Sequence, residues 1–251
     1  MEKQLITSGN LTIAEASEFV VAPNTLTEKQ LQLLLLLVAQ TKQNDPEYHW
    51  ISVGYDDLIK MYNAKNVYDK KSIESMKKMI RSLKRKEWDI FIGDKEFFGN
   101  YIDAGVFDDK ERKISLKLSD ATIYLFLKLD EGRLYSKYGY IKQLHTKCAI
   151  QLYRWCNLKK NFENAIPIKI EDAMKLFYDS ENEITVNHFF NKHLKPAVER
   201  INEITDLHVE FEKVYDKKDK RKVSSLKFYI QQNEDSNDFD KLDSFNYGLL
   251  D

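Results

Sequence analysis

The chain has 251 residues, 43% apolar and 12% aromatic, which accommodates one large domain or two small ones. Its 39 basic residues balance 40 acidic ones, so the net charge of −1 excludes an overall pull toward a polyanion and leaves that to local patches. The eight glycines build neither of the standard nucleotide loops, and the longest apolar run, residues 33–39, is far shorter than the ~20 residues of a membrane span.

Residues 1–24 are polar to mixed and read as an N-terminal arm or short extra element. They lack the basic-then-apolar pattern of a leader, so a cytoplasmic protein is expected. Thr25 and Glu28 fit a capping box at the start of a helix. Leu31, Leu34, Leu35 and Val38 recur on one face of it, and Asn44, Asp45 and Pro46 stop it. Residues 50–55 read as extended, 56–62 as a short helix and 63–66 as a turn. A long helix follows over 68–86, with Ile73, Met76, Ile80 and Leu83 on one face. Lys71, Ser75, Lys78, Arg81, Ser82 and Arg85 share the opposite face. Three strands then follow at 88–93, 101–107 and 113–119, with Asp108, Asp109 and Lys110 as the turn between the last two.

One helix is expected over 138–160, with Ile141, Leu144, Cys148, Leu152 and Trp155 as its apolar stripe. Cys148 and Cys156 point to a reducing compartment, and with His145 they fall short of the four ligands of a zinc site. The pattern then restarts. Residues 164–170 are extended, 171–177 a short helix, 180–183 a turn and 185–204 a long helix. Two alternating strands, 207–215 and 222–230, flank a basic turn. In the long helix Val186, Phe190, Leu194, Ala197 and Ile201 form the apolar stripe, and Pro196 should kink it. Residues 232–251 form an acidic tail with the composition of a disordered segment.

Asp57–Tyr62 and Asp172–Phe177 both read acid, apolar, apolar, Lys, apolar, aromatic, at an offset of 115. At that offset Ile51, Val53 and Tyr55 fall on Ile166, Ile168 and Ile170. This predicts an α+β fold: two tandem winged helices related by internal duplication, joined through a long helix. In such motifs the long helix enters the major groove and the hairpin follows the backbone.

The charge clusters on those elements. Residues 70–86 hold eight Lys/Arg and one acid, and residues 217–222 hold five and one. The expected DNA contacts in the first module are Lys71, Ser75, Lys78, Arg81 and Arg85 on the helix, with Lys110, Arg112 and Lys113 on the hairpin. In the second they are Asn187, His188, Asn191, Lys192 and Lys195, then Lys217, Lys218, Lys220, Arg221 and Lys222 at the hairpin tip. The bland alternative for these faces is solvated surface. No cofactor or metal is implied. No enzyme is expected: His49, His145, His188, His193 and His208 include no pair two apart, as a metal-dependent nickase needs.

The strings Asn24–Gln40, Ser136–Tyr138, Lys147–Tyr153, Leu194–Val198, Ile201–Asn202 and Leu226–Phe228 resemble those of plasmid replication initiators of the two-winged-helix, iteron-binding type, over roughly residues 20–231. The resemblance implies monomers that bind direct repeats of double-stranded origin DNA and help to open the duplex. It also implies homodimers, joined through the N-terminal winged helix, that bind an inverted repeat and repress the protein's own gene. It divides the chain into 25–137 for dimerisation and backbone contacts and 138–231 for iteron recognition. It places the protein on plasmid DNA in the bacterial cytoplasm or nucleoid, away from membranes, with a host replication initiator or helicase as a further partner. Where some members carry an exposed arginine run, this chain has Phe190, Asn191 and Lys192. The alternative is a winged-helix transcriptional regulator with no origin role.

Overall fold

The computed structural model describes residues 12–41, 50–61, 70–92, 94–124, 133–162, 164–178 and 184–233. The turns expected at 63–66 and 180–183 and the tail beyond 233 lie outside them. The chain divides into two compact units, 1–138 and 139–251.

In the first unit, part of the expected arm is built into the fold. Strand β1 (Thr12–Ala16) pairs antiparallel with β7 (Arg133–Lys137), and helix α1 (Ser17–Val21) follows it. Ile13, Ala16, Phe19 and Val20 are buried, apolar content too short and irregular to show a period in the sequence. Helix α2 (Glu28–Gln40) starts two residues later than expected. Thr27, not Thr25, is its cap: its Oγ1 accepts from Gln30 N at 3.4 Å, and Gln30 Oε1 accepts from Thr27 N at 3.0 Å. The string T-L-T-E-K-Q offers a box at either threonine, and burial of Leu26 and Leu31 on both sides of the cap selects the second. Leu33, Leu36 and Leu37 are buried as fully as the expected stripe, so α2 is enclosed on all sides.

Strand β2 (Trp50–Gly54), α3 (Tyr55–Met61) and α4 (Lys70–Lys84) follow. Strand β3 (Glu87–Ile92) pairs with β4 (Lys95–Asn100) as a separate hairpin, and the sequence reading missed β4. Gly99 breaks the β4 pattern because it faces the Trp88 ring, where a Cβ would lie only 3.0 Å from the indole. Strands β5 (Ile102–Asp108) and β6 (Lys113–Leu118) complete a three-stranded sheet in the order β2-β6-β5, and α5 (Asp120–Ile123) follows.

In the second unit the single helix expected over 138–160 is two, α6 (Tyr138–Gln143) and α7 (Lys147–Lys159). Thr146 breaks it, its Oγ1 accepting from Ala149 N at 3.1 Å as a new N-cap. Strand β8 (Ile166–Lys169) and α8 (Ile170–Phe177) lead to a helical run of α9 (Val186–Phe189), a π-helical turn (Phe190–Leu194) and α10 (Lys195–Ile204). Strands β9 (Leu207–Tyr215) and β10 (Val223–Gln232) close the sheet as β8-β10-β9, the order of the first unit. The duplication read at offset 115 is therefore topological. Tyr55 and Ile170 each open the short helix and are buried, and Leu58 and Ala173 both lie at 0% exposure.

Replacing Thr27 with Ala should cost about 1 kcal/mol, because the Gln30 backbone N–H loses its partner. Thr25→Ala, at an exposed site, should stay within about 0.5 kcal/mol. Denaturant unfolding of the two variants decides between the caps.

Candidate nucleic-acid interface

Helix α4 is amphipathic by the spacing of Met76, Ile80 and Leu83, all buried, while Ile73 is only half-buried. Burying these three residues turns Lys71, Ser75, Lys78, Arg81 and Arg85 to solvent. Ser82, expected on that face, instead turns inward. It accepts from Gln30 Nε2 at 2.7 Å and donates to the Met79 carbonyl, tying α4 to α2.

The first wing, β5–β6, carries Lys110 exposed at its turn and Lys113 half-buried. Arg112 departs from expectation. Its Nη2 donates to Asp56 Oδ1 at 2.6 Å, and its carbonyl accepts from Tyr55 N at 2.8 Å. Its φ of 50° is left-handed, a conformation uncommon for a residue with a side chain and held here by those bonds. Arg81 is likewise engaged, with its guanidinium 5.0 Å from the Phe107 ring. The sequence reading also passed over Lys77, a lysine of the same helix that is only 7% exposed. Its spacing, four residues after Ile73 and three before Ile80, is the signal that could have found it, because it sets Lys77 beside the apolar stripe rather than opposite it.

In the second unit Thr185 caps the long helix, accepting from His188 N at 3.2 Å. Asn187, His188, Asn191, Lys192 and Lys195 are all exposed. Phe190 is not: at 3% exposure it is core, stacked parallel on Phe211 at 6.2 Å. Phe189, outside the expected stripe, is fully buried. Pro196 acts as expected in removing a backbone donor, but the helix answers with a π turn, in which Lys195 N bonds to Phe190 O. In a regular α-helix each step of four residues drifts by about 40°. The wider turn offsets part of that drift, and Asn187, Asn191 and Lys195 are all exposed across it. Asn191 Nδ2 donates to Asn187 Oδ1 at 3.2 Å, fixing both amides.

The second wing tip presents Lys217, Lys218, Lys220, Arg221 and Lys222, all exposed. Asp216 Oδ1 accepts from Lys218 N at 2.7 Å and Asp219 N at 3.1 Å, so the turn organises itself. Those bonds hold the Asp216 carboxyl below its ordinary value. Between this tip, α8 and α9 lies a cavity of about 450 Å³, lined by Met174, Phe190, Tyr215 and the basic Lys213 and Arg221. Lys213 Nζ sits 4.0 Å from the Phe190 ring centre.

Burial pushes the Cys148 thiol up to about 12 and raises that of Cys156 well above its ordinary value, which suits core residues rather than reactive ones. Among the described residues no three His, Cys, Asp or Glu gather where they could hold a metal, and no helix is long and apolar enough to cross a membrane.

Two repeats of helix, strand, helix, helix and hairpin, each with polar and basic side chains on its long helix, define a tandem winged-helix protein. Residues 12–157 match the family model Initiator Replication protein, WH1, and residues 170–230 match Initiator Rep protein, WH2. The chain belongs to this family of replication initiator proteins. Among solved structures, it resembles the Pi initiator protein crystallised with iteron DNA. The two superpose with a TM-score of 0.70 at 17% identity over 91% of this chain and all of that one. It also resembles domains 2 and 3 of RctB, with a TM-score of 0.50 at 14% identity over 82% of each chain. No curated protein sequence matches it.

His193 lies half-buried beside His188 and Tyr178, with ring centres 5.5 and 4.4 Å away. Desolvation and the His188 charge hold it below its ordinary value of 6.5. A base whose folded value is depressed contributes stability above its unfolded value and loses it as pH falls. The second unit should therefore weaken between about pH 7 and pH 5. His193→Gln should flatten that part of the stability–pH curve, measured by thermal unfolding.

Proposed function

We propose that this chain binds direct repeats at a plasmid origin as a monomer and so starts replication. The observation that carries this reading is an exposed polar or basic face on the long helix of each unit, joined in the second unit by a basic hairpin tip. A helix fits the major groove of B-DNA, and cations at a hairpin tip meet the flanking phosphates. The Pi initiator, which shares the fold, was crystallised on iteron DNA, and that supports the same target class here.

The faces divide the work. Lys71 and Lys78 on α4, and Arg85 just after it, present point charges suited to phosphate, with Ser75 as a hydroxyl donor among them. Asn187, His188, Asn191 and Lys195 combine amide, imidazole and amine, the groups that pair with base edges. The first unit is accordingly the backbone-contacting and dimerising one, and the second reads sequence. As a dimer the protein would bind an inverted repeat and repress its own gene. The opened duplex would then receive a host replication initiator or helicase. No catalytic role is assigned, and the protein would reside on plasmid DNA in the bacterial cytoplasm.

Binding to duplexes carrying the repeats that flank the gene, measured by fluorescence anisotropy across a salt series, tests this. Lys78→Ala and Arg85→Ala should each weaken binding to every sequence and flatten the log–log salt slope by roughly 0.9. Asn191→Ala should relax discrimination at one base pair by about 1–3 kcal/mol and spare binding to mixed-sequence DNA. A uniform loss across sequences would show that Asn191 touches only backbone. A wild-type affinity indifferent to salt would overturn the proposal.

A further inference from the structure

Lys77 and Lys78 are neighbours on α4 with opposite fates. Lys78 is exposed, whereas Lys77 is 7% exposed. Its Nζ donates to Asp109 Oδ1 at 2.5 Å, and the Tyr55 hydroxyl donates to the same oxygen at 2.8 Å. The ammonium also lies 5.6 Å from the Tyr55 ring centre and 5.5 Å from that of Phe107. Asp109 belongs to the first wing turn, Tyr55 opens α3, and Phe107 is on β5. One lysine thus gathers a carboxylate and two aromatic rings from three elements. At the other end of the same turn, Arg112 is bonded to Asp56 and to the Tyr55 backbone. The turn 109–112 is fastened at both ends, to α3 and α4 through Asp109 and to α3 through Arg112. The second wing turn, by contrast, is organised by bonds among its own residues, from Asp216 to Lys218 and Asp219 and from Asp219 to Arg221.

We propose that Lys77 and Asp109 are positioning residues: their ion pair clamps the first wing against α4 and sets where the wing meets DNA. This rests on the reading of α4 and its wing as a DNA-contacting surface. The clamp explains why an acid stands at the tip of a hairpin that approaches phosphate. It also takes Lys77 out of the phosphate-contacting set, since its ammonium is spent inside the protein. A clamped wing reaches DNA already ordered, so its fixation is settled on folding rather than on binding.

The two partners give opposite signatures if the clamp is absent. Asp109→Asn removes a negative charge from a side chain that is 70% exposed and keeps a side-chain oxygen that can still accept from Lys77, and thermal unfolding of the variant shows whether it stays folded. As an ordinary surface acid its loss would raise affinity for DNA. As half of a clamp its loss lowers affinity. Lys77→Met fills the same space without charge, a replacement that buried ion pairs commonly tolerate. If Lys77 touched phosphate, its loss would flatten the salt slope. As a clamp it lowers affinity and leaves the slope alone.

The experiment uses the full chain and two probes, a duplex of the repeats flanking the gene and a mixed-sequence duplex. Affinity is measured across a salt series, together with amide hydrogen exchange of the free protein over 50–61 and 105–114. The expected result is a loss of about tenfold for either variant, no further loss for the double variant, an unchanged salt slope, and faster exchange in both segments. Higher affinity for Asp109→Asn, a flatter slope for Lys77→Met, or unaltered exchange would each overturn the clamp. If the wild-type chain shows no salt-dependent affinity for either duplex, the proposed function fails, while the exchange comparison still decides the clamp.

Discussion

Burial of one stripe of the long helix in each unit is the constraint on which the rest depends. Met76, Ile80 and Leu83 in α4, and Phe190, Leu194, Ala197 and Ile201 in the later helix, are all nearly inaccessible to water. Burying each large apolar side chain is worth roughly 1.5–3 kcal/mol, whereas burying an unpaired charge costs several. The helix can therefore turn only one way. That orientation sends Lys71, Lys78 and Arg85 outward in the first unit, and Asn187, Asn191 and Lys195 outward in the second. A nearly neutral chain thereby acquires two polar and basic surfaces with no excess of positive charge overall.

The two units use one topology but hold their wings by different means. In the second, an aromatic chain runs from Trp155 through Phe228 and Phe211 to Phe190, with successive ring centres 5.2, 6.0 and 6.2 Å apart. It ties α7, both wing strands and the long helix into one rigid body. Asn202 adds a backbone clamp, donating to Val209 O at 2.9 Å and accepting from Val209 N at 2.7 Å. In the first unit polar bonds do comparable work at the turn itself, where Tyr55, Asp56 and Lys77 hold Asp109 and Arg112. The wing tip of the second unit keeps its cations exposed, which suits electrostatic capture of a phosphate backbone.

The helix–turn–helix and hairpin order of each unit, the duplication and most of the outward faces were legible in the sequence, because each rests on a period or a repeat. Periodicity set Lys78 and Arg85 on the exposed side of the helix, where the structure has them. It also set Lys77 beside the apolar stripe, but not its partner, because Asp109 arrives from a distant turn. Arg112 read as a free cation for the same reason: its partner Asp56 is 56 residues away in sequence. Strand β4 was hidden by Gly99, whose lack of a side chain answers to Trp88 rather than to the strand's own pattern. Pro196 announced a disturbance in the helix, but the choice of a π turn over a kink depends on keeping Phe190 and Leu194 together in the core. Local chemistry also left two threonines competing for one cap, and burial of Leu26 and Leu31 settled it.

Replication itself is the most direct measurement. A plasmid carrying the repeats that flank the gene, but not the gene, is introduced into cells with and without the protein supplied in trans. An initiator maintains that plasmid only when the protein is present, and maintenance is lost when the repeats are scrambled. A plasmid kept without the protein, or lost despite demonstrated binding to its repeats, would contradict an initiator role and leave only a DNA-binding regulator.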